Sequence, residues 1–161
     1  MSKSKKKNCQ KRKRKTYKKW MGGKPPEPKS KPYKSHSQLH KLVLSSNSIH
    51  VHQSTFKIVG NDEKISTYGL ATCSALTMQI GNKKFMAHLD ASMKINPIIN
   101  AINFEITNQN IDATTLFPII YSGGLHSELT LEKAQNICKS VNIPEKNLQI
   151  SNVCFTKTVS I

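Results

Sequence analysis

Residues 74–90, SALTMQIGNKKFMAHLD, decide how the chain folds. Leu76, Met78 and Ile80 alternate with other residues, the period of a strand that buries one face. Gly81-Asn82 then supplies the positive φ that tight hairpin turns demand. Residues 84–90, KFMAHLD, read as the returning strand. Cys73 stands just ahead of the first strand and His88 lies on the second, fifteen positions later.

Working outward, IHVHQ (49–53) and TFKIV (55–59) are β-branched and alternating, so they read as strands, with a turn at 60–64. Residues 96–109, NPIINAINFEITNQ, predict a helix, with Asn96 as cap, Pro97 in the first helical position, and Ile98, Ile102 and Ile106 on one stripe. TLFPIIY (115–121) predicts an apolar strand made irregular by Pro118 and ending in Ser122-Gly123-Gly124. Residues 130–142 predict a second helix, capped by Thr130, with Leu131, Ala134, Ile137, Cys138 and Val141 buried. One or two strands close the chain. Strands, helix, strand, helix, strands in this order predict one layered α+β domain over 41–161, with two main helices against a mixed or antiparallel sheet.

The first 40 residues differ in kind. Residues 1–36 carry 15 Lys or Arg and one acid, Glu27, so about +14 of the formal net charge of +16 lies there. With few aliphatic residues and strong self-repulsion, this arm predicts disorder, and GGKPPEPKSKP (22–32) reads as a Gly/Pro linker. Its block Lys5, Lys6, Lys7, Lys11, Arg12, Lys13, Arg14 and Lys15 suits nuclear import or contact with nucleic acid and other polyanions. No apolar segment follows the charges as in a secretory signal, and none is long enough to span a membrane. The expected location is therefore intracellular, in cytoplasm or nucleus. Cys9, Cys73, Cys138 and Cys154 lack C-x-x-C spacing and read as free thiols in a reducing compartment.

Two readings of Cys73 and His88 stand side by side. Both can be packing residues of a buried hairpin, since Cys behaves as a small hydrophobe. Equally, the imidazole can serve as base to a nucleophilic thiol, because a hairpin brings neighbouring strands together at little cost. The small, irregular TYGLATC (67–73) ahead of the Cys can turn amide N–H groups, those of Thr72 and Cys73, toward an oxyanion.

Thr67, Cys73 six positions later and His88 together resemble the signature of the cysteine deamidase superfamily that includes CheD. More closely, Ala71-Thr72-Cys73, Gly81-Asn82 and Met86-Ala87-His88-Leu89-Asp90-Ala91 are similar to the protein N-terminal asparagine amidohydrolase family. That family also has an apolar strand ending in Gly-Gly, an amphipathic helix and a final strand, matched here by 119–124, 128–139 and 153–156. The likeness runs collinearly over roughly residues 55–161. It implies a CheD-like fold and a Cys–His hydrolase that deamidates a protein Asn or Gln, with Cys73 as nucleophile, His88 as base and Thr67 orienting the imidazole. Thr67 departs from the Ser-type residue of the amidohydrolases. No metal or cofactor is implied.

Further candidates follow from position. Asp90 can steer His88 or meet a substrate ammonium, or can be a plain strand-end carboxylate. Gly123 and Gly124 can let a substrate backbone approach, or simply turn the chain. His50 and His52 share a face but lack the further ligands a metal needs. His126 and Glu128 flank a loop. A non-enzymatic protein that binds nucleic acid through its arm is the competing expectation.

Overall fold

The computed structural model describes residues 47–124, 126–153 and 158–161. The basic arm of 1–40, its block from Lys5 to Lys15, Cys9 and Cys154 lie outside those residues.

Among the described residues, eight strands and two α-helices follow one another: β1 (Ser48–His50), β2 (Thr55–Gly60), β3 (Lys64–Thr67), β4 (Ser74–Ile80), β5 (Lys83–Leu89), α1 (Asn96–Asn108), β6 (Ile119–Gly123), α2 (Glu128–Ser140), β7 (Gln149–Val153) and β8 (Val159–Ser160). Five strands form one sheet in the order β2-β5-β4-β6-β7; three form a second in the order β1-β3-β8. The large sheet is antiparallel except for β6 and β7, which run parallel with α2 crossing between them. The class is α+β.

The β4–β5 hairpin is the centre of this arrangement. Ile80 pairs with Lys83, so Gly81 and Asn82 are the whole turn, and Gly81 has φ +56°. A side chain at Gly81 would also run into the Gln109 carboxamide, whose oxygen accepts the Asn82 N–H at 3.0 Å. Because side chains alternate across a strand, one register decides two cores. Leu76, Met78, Ile80, Phe85, Ala87 and Leu89 face the helices and pack on Ile98, Ile102, Ile137 and Cys138. Ala75 and Met86 face the other way, onto Val51, Ile65, Leu70 and Val159 beside the small sheet. The large sheet is thus the middle of three layers.

Several boundaries differ from the sequence reading. The strand expected over 115–121 starts at Ile119; a 3-10 turn, Ala113–Thr115, precedes it, nucleated by the Asp112 side chain accepting the Thr114 N–H. The second helix begins at Glu128, with Ser127 at its N-cap position, three residues before the expected cap. Thr130 is inside the first turn, where its hydroxyl donates to the Ser127 carbonyl at 2.9 Å and accepts from Ser74 Oγ at 2.9 Å. The first helix starts at Asn96 with Ile95 before it, so Asn96 is helical and not the cap. Strand β3, Lys64–Thr67, is absent from the sequence reading altogether.

Candidate active site

Cys73 immediately precedes β4, whose first residue Ser74 pairs with Leu89; the next pair is Ala75 with His88. Counting along the ladder, Cys73 and His88 are diagonal neighbours on the same face, the face turned toward the small sheet. Both are buried, at 4% and 3% exposed.

The small sheet supplies the third member. Thr67 ends β3, fully buried, and its Oγ1 lies 2.8 Å from His88 Nδ1 and 2.8 Å from the Val51 carbonyl oxygen. A carbonyl only accepts, so the single hydroxyl proton of Thr67 goes to Val51. The hydroxyl must then accept from His88, which fixes the proton on Nδ1. The other ring nitrogen, Nε2, keeps its lone pair bare, and it is buried without a hydrogen-bond partner among the described residues. An orphaned acceptor in a dry site costs stability and calls for a role. The free acceptor thus belongs to a side chain on the same face of the sheet as Cys73.

The electrostatics favour a neutral resting pair. Burial, with the nearby His50, pulls the His88 imidazole down to about 4, while Asp90 works against this. Burial pushes the Cys73 thiol up and Asp90 adds to it; a hydrogen bond from the Thr72 side chain opposes both. Thiol up and imidazole down both disfavour a standing thiolate–imidazolium pair. Among the described residues no hydrogen bond joins the two side chains.

Cys73 opens onto a cavity of about 320 Å³ lined by Gln53, Thr72, Asp90, Ser92, His126 and Leu129, among others. His88 stays behind Cys73 and does not line it. Thr72 borders the cavity, and among the described residues no carbonyl accepts the Thr72 or Cys73 N–H. Cys73's own carbonyl is held by the Gly123 N–H at 3.0 Å, which fixes the peptide that carries the thiol.

Asp90 is at the cavity edge, and its carboxylate is crowded with donors. Oδ1 accepts the Ser92 N–H, the Ser92 hydroxyl and the Met93 N–H, each at 2.9 Å. Oδ2 accepts from Gln53 Nε2 at 3.2 Å and from the Ser54 hydroxyl. Burial works against ionisation, but the hydrogen bonds from Ser54, Ser92, Gln53 and Met93 outweigh it and hold the carboxyl at about 2. Five donors fill the roughly four lone-pair directions of a carboxylate, so Asp90 has no oxygen to offer an incoming ammonium. It makes no hydrogen bond to His88 and reaches it only through its charge; its oxygens tie the turn at 53–54 to the loop at 90–93. Lys133 of α2 closes that loop from the other side by donating to the carbonyls of Ala91 and Met93 at 2.5 and 2.8 Å.

Gly123 and Gly124 part company. A Cβ on Gly123 would fall 1.7 Å from the Leu70 carbonyl oxygen and 2.7 Å from that of Ala71, so its bareness serves the chain leading into Cys73, not a substrate. Gly124 has open space around it. His50 stacks on Tyr68 at 4.7 Å and meets His52 edge-on at 4.6 Å, and no cluster of three or more metal-ligating side chains exists among the described residues. His126 does line the cavity, with φ +50°, while Glu128 opens α2. Cys138 is buried in the helix layer, its thiol pushed up to about 12 by burial.

Sequence reasoning missed Val51, Gln53, Ser54, Ser92 and Leu129. Only the Gln53-Ser54 turn carried a local signal, as a polar break between two strand-like runs. Among the described residues no helix is long and apolar enough to cross a membrane.

No protein-family model matches the chain, and no curated protein matches it. Solved structures do: the crystal structure of the Bacillus licheniformis hypothetical protein YfiH aligns with a TM-score of 0.50 at 8% identity, over 74% of this chain and 70% of that one. At that identity the likeness is one of architecture alone, an α+β fold shared with that protein.

Proposed function

We propose that the chain is a cysteine-dependent amidohydrolase of the CheD-like deamidases, related to the protein N-terminal asparagine amidohydrolases, acting on a carboxamide of a protein or peptide. The observation that supports this best is the direction of the hydrogen bonds at Thr67. Its proton goes to Val51, so His88 carries its own proton on Nδ1 and has a bare, buried Nε2 on the face it shares with Cys73. That tautomer leaves a free acceptor on the Cys73 face, which is what a general base to the thiol requires.

On this reading the thiol proton passes to His88 Nε2 as Sγ attacks the carboxamide carbon, since the neutral pair is the resting state. The Thr72 and Cys73 N–H groups hold the oxyanion. His88 returns the proton to the departing nitrogen, ammonia leaves, and a thioester remains. Water, deprotonated by Nε2, then hydrolyses the thioester and restores the thiol. N-terminal Asn is the favoured substrate, Gln the next, and an open cavity of about 320 Å³ has room for either side chain with part of its backbone. The test is ammonia release from Asn- and Gln-bearing peptides. Release that persists unchanged in Cys73→Ala sinks the proposal.

The basic arm supports a second, compatible reading, in which residues 1–36 bind nucleic acid or another polyanion, with or without catalysis by the body. About +14 in that stretch is the ground for it. Duplex DNA binding at several salt concentrations, with and without residues 1–36, tests it; affinity that survives removal of the arm rejects it.

A further inference from the structure

We infer that Asp90 makes the cavity in front of Cys73 selective by charge: it admits neutral and cationic groups, excludes anionic ones and, on the amidase reading, drives out the carboxylate that deamidation creates. The first two parts stand on geometry alone; the third rests on the proposed function.

Asp90 and Cys73 line the same cavity, and among the described residues no other carboxylate and no Lys or Arg lines it with them. All five donors on the Asp90 oxygens are neutral: two hydroxyls, one side-chain amide and two backbone N–H groups. They hold the negative charge in place without cancelling it. Lys133 is the nearby cation, but its ammonium is bound to main-chain carbonyls of the 90–93 loop, including that of Asp90 at 3.3 Å, and makes no ion pair with the carboxylate. Because the lone pairs of Asp90 are filled, its charge acts through space. Its raising effect on both Cys73 and His88 reports that field at the reacting atoms.

The field matters most at the end of the reaction. A neutral carboxamide plus water becomes ammonia and a carboxylic acid, which ionises at neutral pH. A negative charge then appears at Cys73, beside a carboxylate held ionised by five donors. Two like charges that line one small cavity of intermediate dielectric repel enough to change occupancy on the order of tenfold. The substrate feels none of this repulsion and the product all of it.

The test needs no turnover. Iodoacetamide and iodoacetate deliver the same electrophilic carbon, one neutral and one anionic. The full chain is alkylated with each, and modification at Cys73 alone is followed by peptide mass. The iodoacetate-to-iodoacetamide rate ratio is compared with that of a small free thiol. The expected ratio at Cys73 is roughly tenfold lower at low salt, and it rises toward the free-thiol value at high salt and in Asp90→Asn. The basic arm attracts anions, so it works against this result and cannot produce it. A ratio equal to the free thiol's at low salt overturns the inference, as does a folded Asp90→Asn that leaves the ratio unchanged. Should that variant fail to fold, the salt series on the natural chain decides alone. A chain that discriminates the two reagents but releases no ammonia refutes the proposed function and leaves the charge selectivity standing. With turnover in hand, the deamidated peptide is expected to inhibit roughly tenfold more weakly than its parent binds, the gap closing with salt.

Discussion

Thr67 and His88 belong to different sheets and meet at 2.8 Å, hydroxyl oxygen to Nδ1. The contact crosses the layer that holds Val51, Leu70 and Val159, and it sets the protonation pattern of His88 on the Cys73 face of β5.

Replacing Thr67 by Val keeps the shape and removes the hydroxyl. The Val51 carbonyl and His88 Nδ1 then lose their partners in a dry site, which costs about 2 kcal/mol or more of stability. Ammonia release is expected to fall by roughly ten- to a hundredfold in kcat, with KM little changed, because a mis-set tautomer affects proton transfer more than binding. Thr67→Ser restores both bonds and should recover most of kcat. Equal losses in the Ser and Val variants would mean the methyl group, not the hydroxyl, matters.

Acid should weaken the fold in two separate windows. His88 is pulled down to about 4 from an ordinary 6.5, so between those values the unfolded chain binds a proton that the folded chain refuses. Stability therefore declines as pH falls from 6.5 to 4, by up to about 3 kcal/mol, and this contribution is flat below 4. Asp90, held at about 2, is silent there and contributes a second loss only below 3.8. Urea unfolding at pH 7, 5.5 and 4.5 measures the first window; His88→Gln should flatten it.

Cys73 should react with a small neutral alkylating agent faster than Cys138 at pH 7. Cys73 lines the cavity, whereas Cys138 is enclosed in the helix layer with a thiol near 12. The Cys73 rate should still be climbing with pH where an ordinary thiol has levelled off, because its own shift is upward. A rate already flat at pH 7 would reveal a standing ion pair and contradict the neutral resting state. Peptide mass mapping over pH 6 to 10 gives the profile.

Gly123→Ala and Gly124→Ala make a sharp pair. At Gly123 the new Cβ collides with two backbone carbonyls that cannot move without shifting the segment before Cys73; at Gly124 it meets nothing. Loss of roughly 3 kcal/mol or more, or failure to fold, is expected for the first. A change within about 0.5 kcal/mol is expected for the second. Denaturant midpoints distinguish them.

The hairpin was legible because its information is local. Alternation, a Gly-Asn turn and a count of residues bring Cys73 and His88 to one face, and both helices announced themselves by their stripes. Strand β3 escaped because KIST has a single aliphatic residue, Ile65. Its buried Ser66 and Thr67 are paid for by hydrogen bonds to Ser48, Val51 and His88, partners 16 to 21 positions away or more locally unpredictable. Thr130 looked like a cap because a hydroxyl before an amphipathic run usually is one, yet Ser74, 56 positions earlier, claims it. The sequence leaves Asp90 open between a role at His88 or a substrate and a plain strand-end carboxylate, since nothing nearby warns that Gln53 and Ser54 will occupy one of its oxygens.

Val51 contributes its main-chain carbonyl to the chain of contacts that ends at His88. No side-chain substitution can delete that oxygen; its position is set by the backbone, which the Val51 N–H pins to β3 by donating to the Ser66 carbonyl at 2.8 Å. A change in length between β1 and β2 that displaces Val51 would therefore act on the imidazole without altering any side chain beside it. For design, the geometry of a loop is a lever on this histidine's tautomer.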